Sequence, residues 1–215
     1  AAVGRRQGRF GQDVAAAHGR EAVKQSLASA TLDNGVTILG DHLPDLESAA
    51  VAVLAPAGAV HDTPGRSGLA TLAGELGLRG AGERTSREIV EFLEHAGVQW
   101  SQSVSATHAS VSGSMVAGRL PDVLPVYADL VRRPRLPADE LENARQMILQ
   151  NLAGTEDDPA HRAMLALRRL LLPEPWGRPT EGVSAEVRAI GLDDVRRFVA
   201  DHLRPPGVIV AVAGR

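Results

Sequence analysis

Residues 98–116 alternate polar and apolar side chains, and this pattern limits the possible folds more than any other feature of the chain. Antiparallel strands with one solvated face alternate in this way, so the segment predicts a β-hairpin over 98–106 and 107–116. Helical periodicity then dominates, and a last apolar strand is predicted at 208–213. Strand pairs, then helices, then a returning strand indicate an α+β domain, with an antiparallel-rich sheet and helices packed on one face.

Turn and capping signals define further boundaries. Asp33-Asn34-Gly35 is a turn signal ahead of the first predicted strand. Thr85 and Glu88 have the spacing of a capping box, which marks the start of a helix. The other predicted elements are strands at 36–39 and 49–54 and helices at 67–78, 85–95, 120–132, 138–155, 160–171 and 192–202.

Composition excludes several classes of function. The 215 residues include 23 basic and 26 acidic side chains, and this balance, with only six aromatic residues, argues against a nucleic-acid partner. The chain has no cysteine, which excludes thiolate ligands, a cysteine nucleophile and disulfides. No apolar run approaches the length that spans a bilayer, so we expect a soluble protein, whose compartment the sequence does not assign.

The first 30 residues differ from the rest. They contain five basic and two acidic side chains among many alanines and glycines, which gives this segment a charge of +3. We expect a basic N-terminal segment over 1–30, either a tail or a short helix packed on the domain, and a single α+β domain over 31–215.

General motifs of catalysis are absent. The sequence has no G-x-S-x-G elbow, no P-loop and no G-x-G-x-x-G before a helix, and no two of the seven histidines lie within four residues of each other. Glu91 and His95 share a helical face, but an exposed Glu–His pair explains them better than a metal site. Asp157 and Asp158 precede Pro159, and capping of the next helix explains them better than cation binding.

Landmarks from 31 to 214 occur in the order found in one peptidase family. They are the turn at Leu32 to Gly35, Ala57-Gly58, Gly65 to Ala70, Arg79-Gly80, Thr85 to Glu88, Pro137 to Leu141, Glu156 to Pro159, Trp176 to Pro179 and the closing segment Leu192 to Gly214. On these residues the chain resembles the pitrilysin, insulinase and mitochondrial processing peptidase family of inverzincin metallopeptidases, and specifically the N-terminal type of domain. The resemblance implies their α+β fold.

The same resemblance implies a degenerate active site. Active members carry H-x-x-E-H on the helix after Gly-Leu-Ala, with a further zinc-binding glutamate on a later helix. Thr71 stands at the first histidine position, Gly74 at the general base, Glu75 at the second histidine and Asn151 at the distant ligand. We therefore expect no zinc, no other cofactor and no catalytic residue.

Family members work as paired domains, and one half is often non-catalytic. The resemblance thus implies a partner domain, a catalytic homologue or self-association, with an extended polypeptide held at a sheet edge. Two alternatives remain: a structural core subunit of a larger assembly, and an active zinc peptidase with unusual ligands. The sequence does not identify the partner or the substrate.

Overall fold

A computed structural model describes residues 27–215. Nearly all of the predicted N-terminal segment, residues 1–26, lies outside the described residues, and so does its predicted tail or short helix. The first strand begins at Leu27, four positions ahead of Thr31, where the domain was predicted to begin. The end of that N-terminal segment is therefore part of the sheet.

Six strands form one mixed sheet in the order β1, β2, β8, β3, β7, β6. Neighbouring strands are antiparallel except β2 and β8, which run parallel. The strands are β1 (Leu27–Thr31), β2 (Thr37–His42), β3 (Ser48–Ala55), β6 (Gln99–Val104), β7 (Ala109–Val116) and β8 (Ile209–Gly214). The short strands β4 (Gly80–Ala81) and β5 (Arg84–Thr85) form a separate hairpin. The predicted hairpin over 98–116 is confirmed as β6 and β7.

Seven α-helices are found among the described residues. They are α1 (Leu69–Gly77), α2 (Ser86–His95), α3 (Leu120–Arg132), α4 (Leu141–Glu156), α5 (Pro159–Leu171), α6 (Ser184–Ala189) and α7 (Leu192–His202). Thr85 and Glu88 form the predicted capping box at the start of α2. None of the helices in residues 27–215 is long and apolar enough to cross a membrane.

One face of the sheet carries the core. On β3, Val51 and Val53 are buried against the helices, whereas the alternate residues Ala50 and Ala52 point to the other face. The helices contribute leucines and other large apolar side chains at helical spacing, such as Leu72 and Leu76 of α1, which are fully buried. Period-two burial on the strands and helical spacing above them confirm the predicted α+β arrangement.

Candidate functional site

Helix α1 carries three of the four predicted motif positions, and a buried carboxylate fixes its start. Asp62 lies in the preceding turn, and its two carboxylate oxygens accept hydrogen bonds from the backbone N–H groups of Gly68 (2.8 Å) and Ala70 (2.7 Å). Asp62 is only 3% exposed. Its burial raises the pKa to about 6, although these hydrogen bonds and the charge of Arg178 act in the opposite direction.

The loop after α5 is attached to the same end of α1. Arg178 donates a hydrogen bond to the backbone oxygen of Asp62 over 2.5 Å. From α6, the helix that follows this loop, the Glu186 carboxylate accepts a hydrogen bond from the backbone N–H of Ser67 over 2.7 Å. The loop and the helix after it are therefore both held against the start of α1.

Thr71 and Glu75 lie together beside a small cleft. The cleft has a volume of about 150 Å³ and lies between α1, β6 and the loop at Thr180 and Glu181. Thr71 donates its hydroxyl proton to the backbone oxygen of Thr180 over 2.6 Å. The side chain at the first histidine position therefore tethers a loop, and Glu75 is the carboxylate beside it.

Gly74 lies directly under a side chain from the neighbouring strand. A Cβ atom built on Gly74 would come within 2.3 Å of Nε2 of Gln102 and within 3.4 Å of Cγ2 of Val104. The Oε1 atom of Gln102 is buried and accepts no hydrogen bond from any described residue. Gln102 thus fills the space that a side chain at the general-base position would need.

Asn151 does not join this group. It lies on α4, which packs against α1, but its side chain is exposed and does not line the cleft. Thr71, Gly74 and Glu75 share one face of α1 beside β6, whereas the fourth predicted position points elsewhere. In residues 27–215, no three His, Asp or Glu side chains are arranged so that they could hold a metal ion.

The two local alternatives have ordinary structural roles. Asp158 caps α5 as predicted, since its Oδ1 accepts hydrogen bonds from the backbone N–H groups of Ala160 and His161. The predicted Glu–His side-chain pair is replaced by other contacts. The Glu91 carboxylate binds Arg87 at 2.6 Å, and Nδ1 of His95 contacts the backbone oxygen of Glu91.

The free edge of β6 borders the cleft. Ser105 donates its backbone N–H to His108 across the hairpin turn. Hydrogen-bonded pairs in an antiparallel ladder recur every second residue. The backbone groups of Ser101 and Ser103 therefore face β7, and those of Trp100, Gln102 and Val104 face the open edge. An extended chain could pair with this edge and pass directly beside Glu75.

Sequence reasoning missed two residues of this site. Neither the buried carboxylate of Asp62 nor the position of Gln102 belongs to the H-x-x-E-H pattern. The alternation along 98–104 places Gln102 on the helix-facing side of its strand, and this was the only signal that could have indicated it.

Comparisons with known proteins point to one peptidase family. Residues 37–182 match the family model described as Insulinase (Peptidase family M16). An uncharacterized zinc protease of Rickettsia bellii is 23% identical over 193 residues, which cover 89% of this chain and 47% of that protein. An uncharacterized zinc protease of Streptomyces coelicolor is 26% identical over 198 residues, covering 92% and 42%. The chain spans about half the length of these curated relatives.

Solved structures share the fold. A peptidase M16 inactive domain from Pseudomonas fluorescens superposes with a TM-score of 0.80 at 20% identity, covering 88% of this chain and 46% of that one. A protease from Helicobacter pylori gives 0.83 at 20% identity with the same coverage. The predicted family resemblance is confirmed, because the family model matches well over half of the residues: this chain belongs to the insulinase family of peptidases, M16.

Proposed function

We propose that this chain is a non-catalytic M16 domain that holds extended polypeptide as the partner of a catalytic M16 domain. The observation that carries the proposal is the general-base position. Gly74 has no side chain to accept a proton from water, and Gln102 occupies the space beside it. A solved relative described as an inactive domain supports the same interpretation.

The residues at the other positions do not fit a zinc ion. Catalytic zinc needs three protein ligands of the histidine, carboxylate or thiolate type. The Thr71 hydroxyl is engaged with a backbone carbonyl, and the Asn151 amide is neutral and outside the cleft. Glu75 is the one carboxylate among the four motif positions, and with Glu181 of the cleft lining it still gives fewer than three ligands. We therefore derive no metal-dependent step for this domain.

Zinc content and peptidase activity test the non-catalytic role together. We expect protein purified without a metal-binding tag to hold no stoichiometric zinc and to leave a quenched peptide library uncleaved. An M16 peptidase with intact H-x-x-E-H, purified in the same way, is the positive control. Stoichiometric zinc with cleavage that a chelator abolishes would contradict the proposal and favour an active enzyme with unusual ligands.

The open edge of β6 supports the proposed polypeptide-binding role. Three outward-facing backbone positions, at Trp100, Gln102 and Val104, offer N–H and C=O groups to an added strand. In such strand addition, main-chain hydrogen bonds supply the affinity and alternate side chains the selectivity. Every second side chain of the added peptide strand would face the cleft beside Glu75.

Alternate N-methylation of a bound peptide tests strand addition. One ten-residue peptide that binds in fluorescence anisotropy is made in two forms, with methyl groups on either the odd or the even backbone nitrogens. Only the set facing β6 loses hydrogen bonds, so we expect one form to bind at least tenfold more weakly and the other to bind almost normally. Equal loss in both forms would exclude strand addition. The absence of any peptide binding would favour the structural-subunit alternative.

A further inference from the structure

Two histidines from distant parts of the chain stack against each other. His61 ends a single 3₁₀ turn, Ala59–His61, and His202 is the last residue of α7. Their ring centroids are 4.6 Å apart with an angle of 29° between the ring planes, and the Phe198 ring lies 4.8 Å from that of His202. The imidazole pair therefore joins the 3₁₀ turn to the end of α7.

The 3₁₀ turn is also attached to two other parts of the domain. The backbone N–H groups of Ala59 and Val60 donate hydrogen bonds over 3.1 and 2.8 Å to backbone oxygens in the turn 105–107 of the β6–β7 hairpin. Gly58 lies so close to this hairpin turn that an added Cβ atom would overlap its backbone. The 3₁₀ turn continues directly into Asp62, which holds the start of α1. A movement of the 3₁₀ turn would therefore reach both the end of β6 and α1.

The two imidazoles repel each other when both are protonated. Neutral rings can stack at this separation, whereas two imidazolium ions bring like charges together. Burial lowers the pKa of His202, and the charge of His61 lowers it further. Two neighbours of His202 in the chain also affect its pKa, since Asp201 raises it and Arg204 lowers it. The stacked contact therefore binds protons less tightly than the separated rings would.

The other elements around the pair contribute few charges. Helix α1 packs against both α7 and the 3₁₀ turn, but its single charged residue, Glu75, lies at the cleft instead. The remaining groups are Asp62 next to His61 in sequence, Arg178, which donates to the backbone oxygen of Asp62, and His108 of the hairpin turn, whose Nδ1 contacts Thr107.

We propose that His61 and His202 form a latch between the 3₁₀ turn and α7 that protonation opens. With neutral rings, the stack holds the end of α7 against the 3₁₀ turn. Because the closed contact binds protons less tightly than the open one, a falling pH favours the open state. Opening frees the 3₁₀ turn on one side and loosens the hairpin end that it holds. The latch does not depend on the proposed peptide binding, because the free edge of β6 takes no part in it.

Hydrogen exchange followed by mass spectrometry measures the opening. After correction for the intrinsic pH dependence of exchange, we expect segments 58–62 and 105–108 of the native chain to exchange about tenfold faster at pH 5 than at pH 7.5. Helix α3 is the internal reference and should keep its protection. Unchanged protection at 58–62, or an equal loss in α3 that would indicate global unfolding, would overturn the proposal.

Phenylalanine variants separate stacking from protonation. His61→Phe and His202→Phe each keep an aromatic ring in the contact but leave only one group of the pair that can be protonated, so both should stay protected at pH 5. His42→Phe, at an exposed histidine of β2, is the matched control and should open as the native chain does. Asp62 titrates in the same pH range but is present in all four chains. Native-like opening in either stack variant would contradict the latch.

NMR titration of the His202 ring provides an independent measurement of the coupling. In His61→Phe the neighbouring positive charge is gone, so we expect a higher pKa for His202 than in the native chain. The His42→Phe control should leave the pKa of His202 unchanged, and circular dichroism verifies that each variant is folded. An equal or lower pKa of His202 in His61→Phe would show that the two rings are not coupled, and would refute the proposal.

Discussion

Asp62 shows how a single residue sets the geometry of the site. Its carboxylate accepts two backbone hydrogen bonds at the start of α1, and its backbone oxygen holds Arg178 of the opposite loop. The helix N-terminus favours the charged carboxylate, but burial favours the neutral acid and has the larger effect on the pKa. The residue that positions α1 is therefore also sensitive to pH.

Asp62 should make stability decrease between pH 4 and pH 6. The folded-state pKa is about 6 against an ordinary value of 3.8. The folded state thus binds the proton more tightly than the unfolded state. The stabilisation from protonated Asp62 is therefore complete below pH 4 and is lost as the pH rises through 6. A shift of this size corresponds to roughly 3 kcal/mol at most. Urea unfolding of the native chain and of Asp62→Asn measures it.

The difference in unfolding free energy between the native chain and Asp62→Asn separates the contribution of Asp62 from those of other acidic residues. Glu88, Glu142 and Asp194 have lowered pKa values and act in the opposite direction, but they are common to both chains. Asp45→Asn, at an exposed carboxyl group, is the matched control and should leave the profile unchanged. Parallel pH profiles for native and Asp62→Asn protein would refute the role given to Asp62.

Individual residues also show where sequence reasoning stops. The identities at 71, 74 and 75 could be predicted to share one helix face, because positions three and four apart on a helix are neighbours. The contact between Gly74 and Gln102 could not, since it joins residues from separate elements and depends on the register of β6. The degenerate motif shows that the general-base side chain is missing at Gly74. The structure shows that Gln102 occupies the space which that side chain would need.

At the scale of elements, the contact between α1 and β6 couples the motif helix to the free sheet edge. Gly74 lies directly against β6, because a Cβ atom there would overlap Gln102. Helix propensity alone would favour alanine over glycine by about 1 kcal/mol. The native glycine therefore reflects the neighbouring strand rather than the helix.

A double-mutant cycle should show this coupling as a difference between two backgrounds. In the native chain we expect Gly74→Ala to gain less than the helix propensity of about 1 kcal/mol, because the flexible Gln102 side chain has to move aside for the methyl group. In a Gln102→Ser chain, the same change should stabilise by about 0.5–1 kcal/mol, because the shorter side chain leaves room for the methyl group. Urea unfolding of the four chains gives both values, and an equal effect in the two backgrounds would rule out the steric explanation.

Most elements were predictable from sequence, and the exceptions share a cause. Long periodic segments such as α3 and α7 occur where the pattern predicted them. Strand β1 was missed because its residues Leu27–Thr31 are mostly small or polar and follow a basic segment. Helix α6 was missed because six residues are too few to display helical periodicity. Both depend on tertiary packing more than on local pattern.

At the scale of the whole molecule, the sheet separates two environments. The helices cover one face and the core beneath it, while the opposite face carries small side chains around a groove of about 680 Å³. The motif cleft lies at the β6 end of the sheet, and Leu27 of β1 lies at the other edge. The proposed peptide binding at β6 therefore uses the edge of the sheet that carries the motif cleft.

The position of β8 has a consequence for biogenesis. This strand is the last of the eight described strands in sequence order, yet it lies inside the sheet between β2 and β3. Its residue Ile209 pairs with Thr37 on one side and with Leu54 on the other. During synthesis, β2 and β3 have no shared neighbour until residues 209–214 leave the ribosome. The nascent domain thus keeps two unpaired strand edges until translation of β8 is complete, and such edges can pair with other chains.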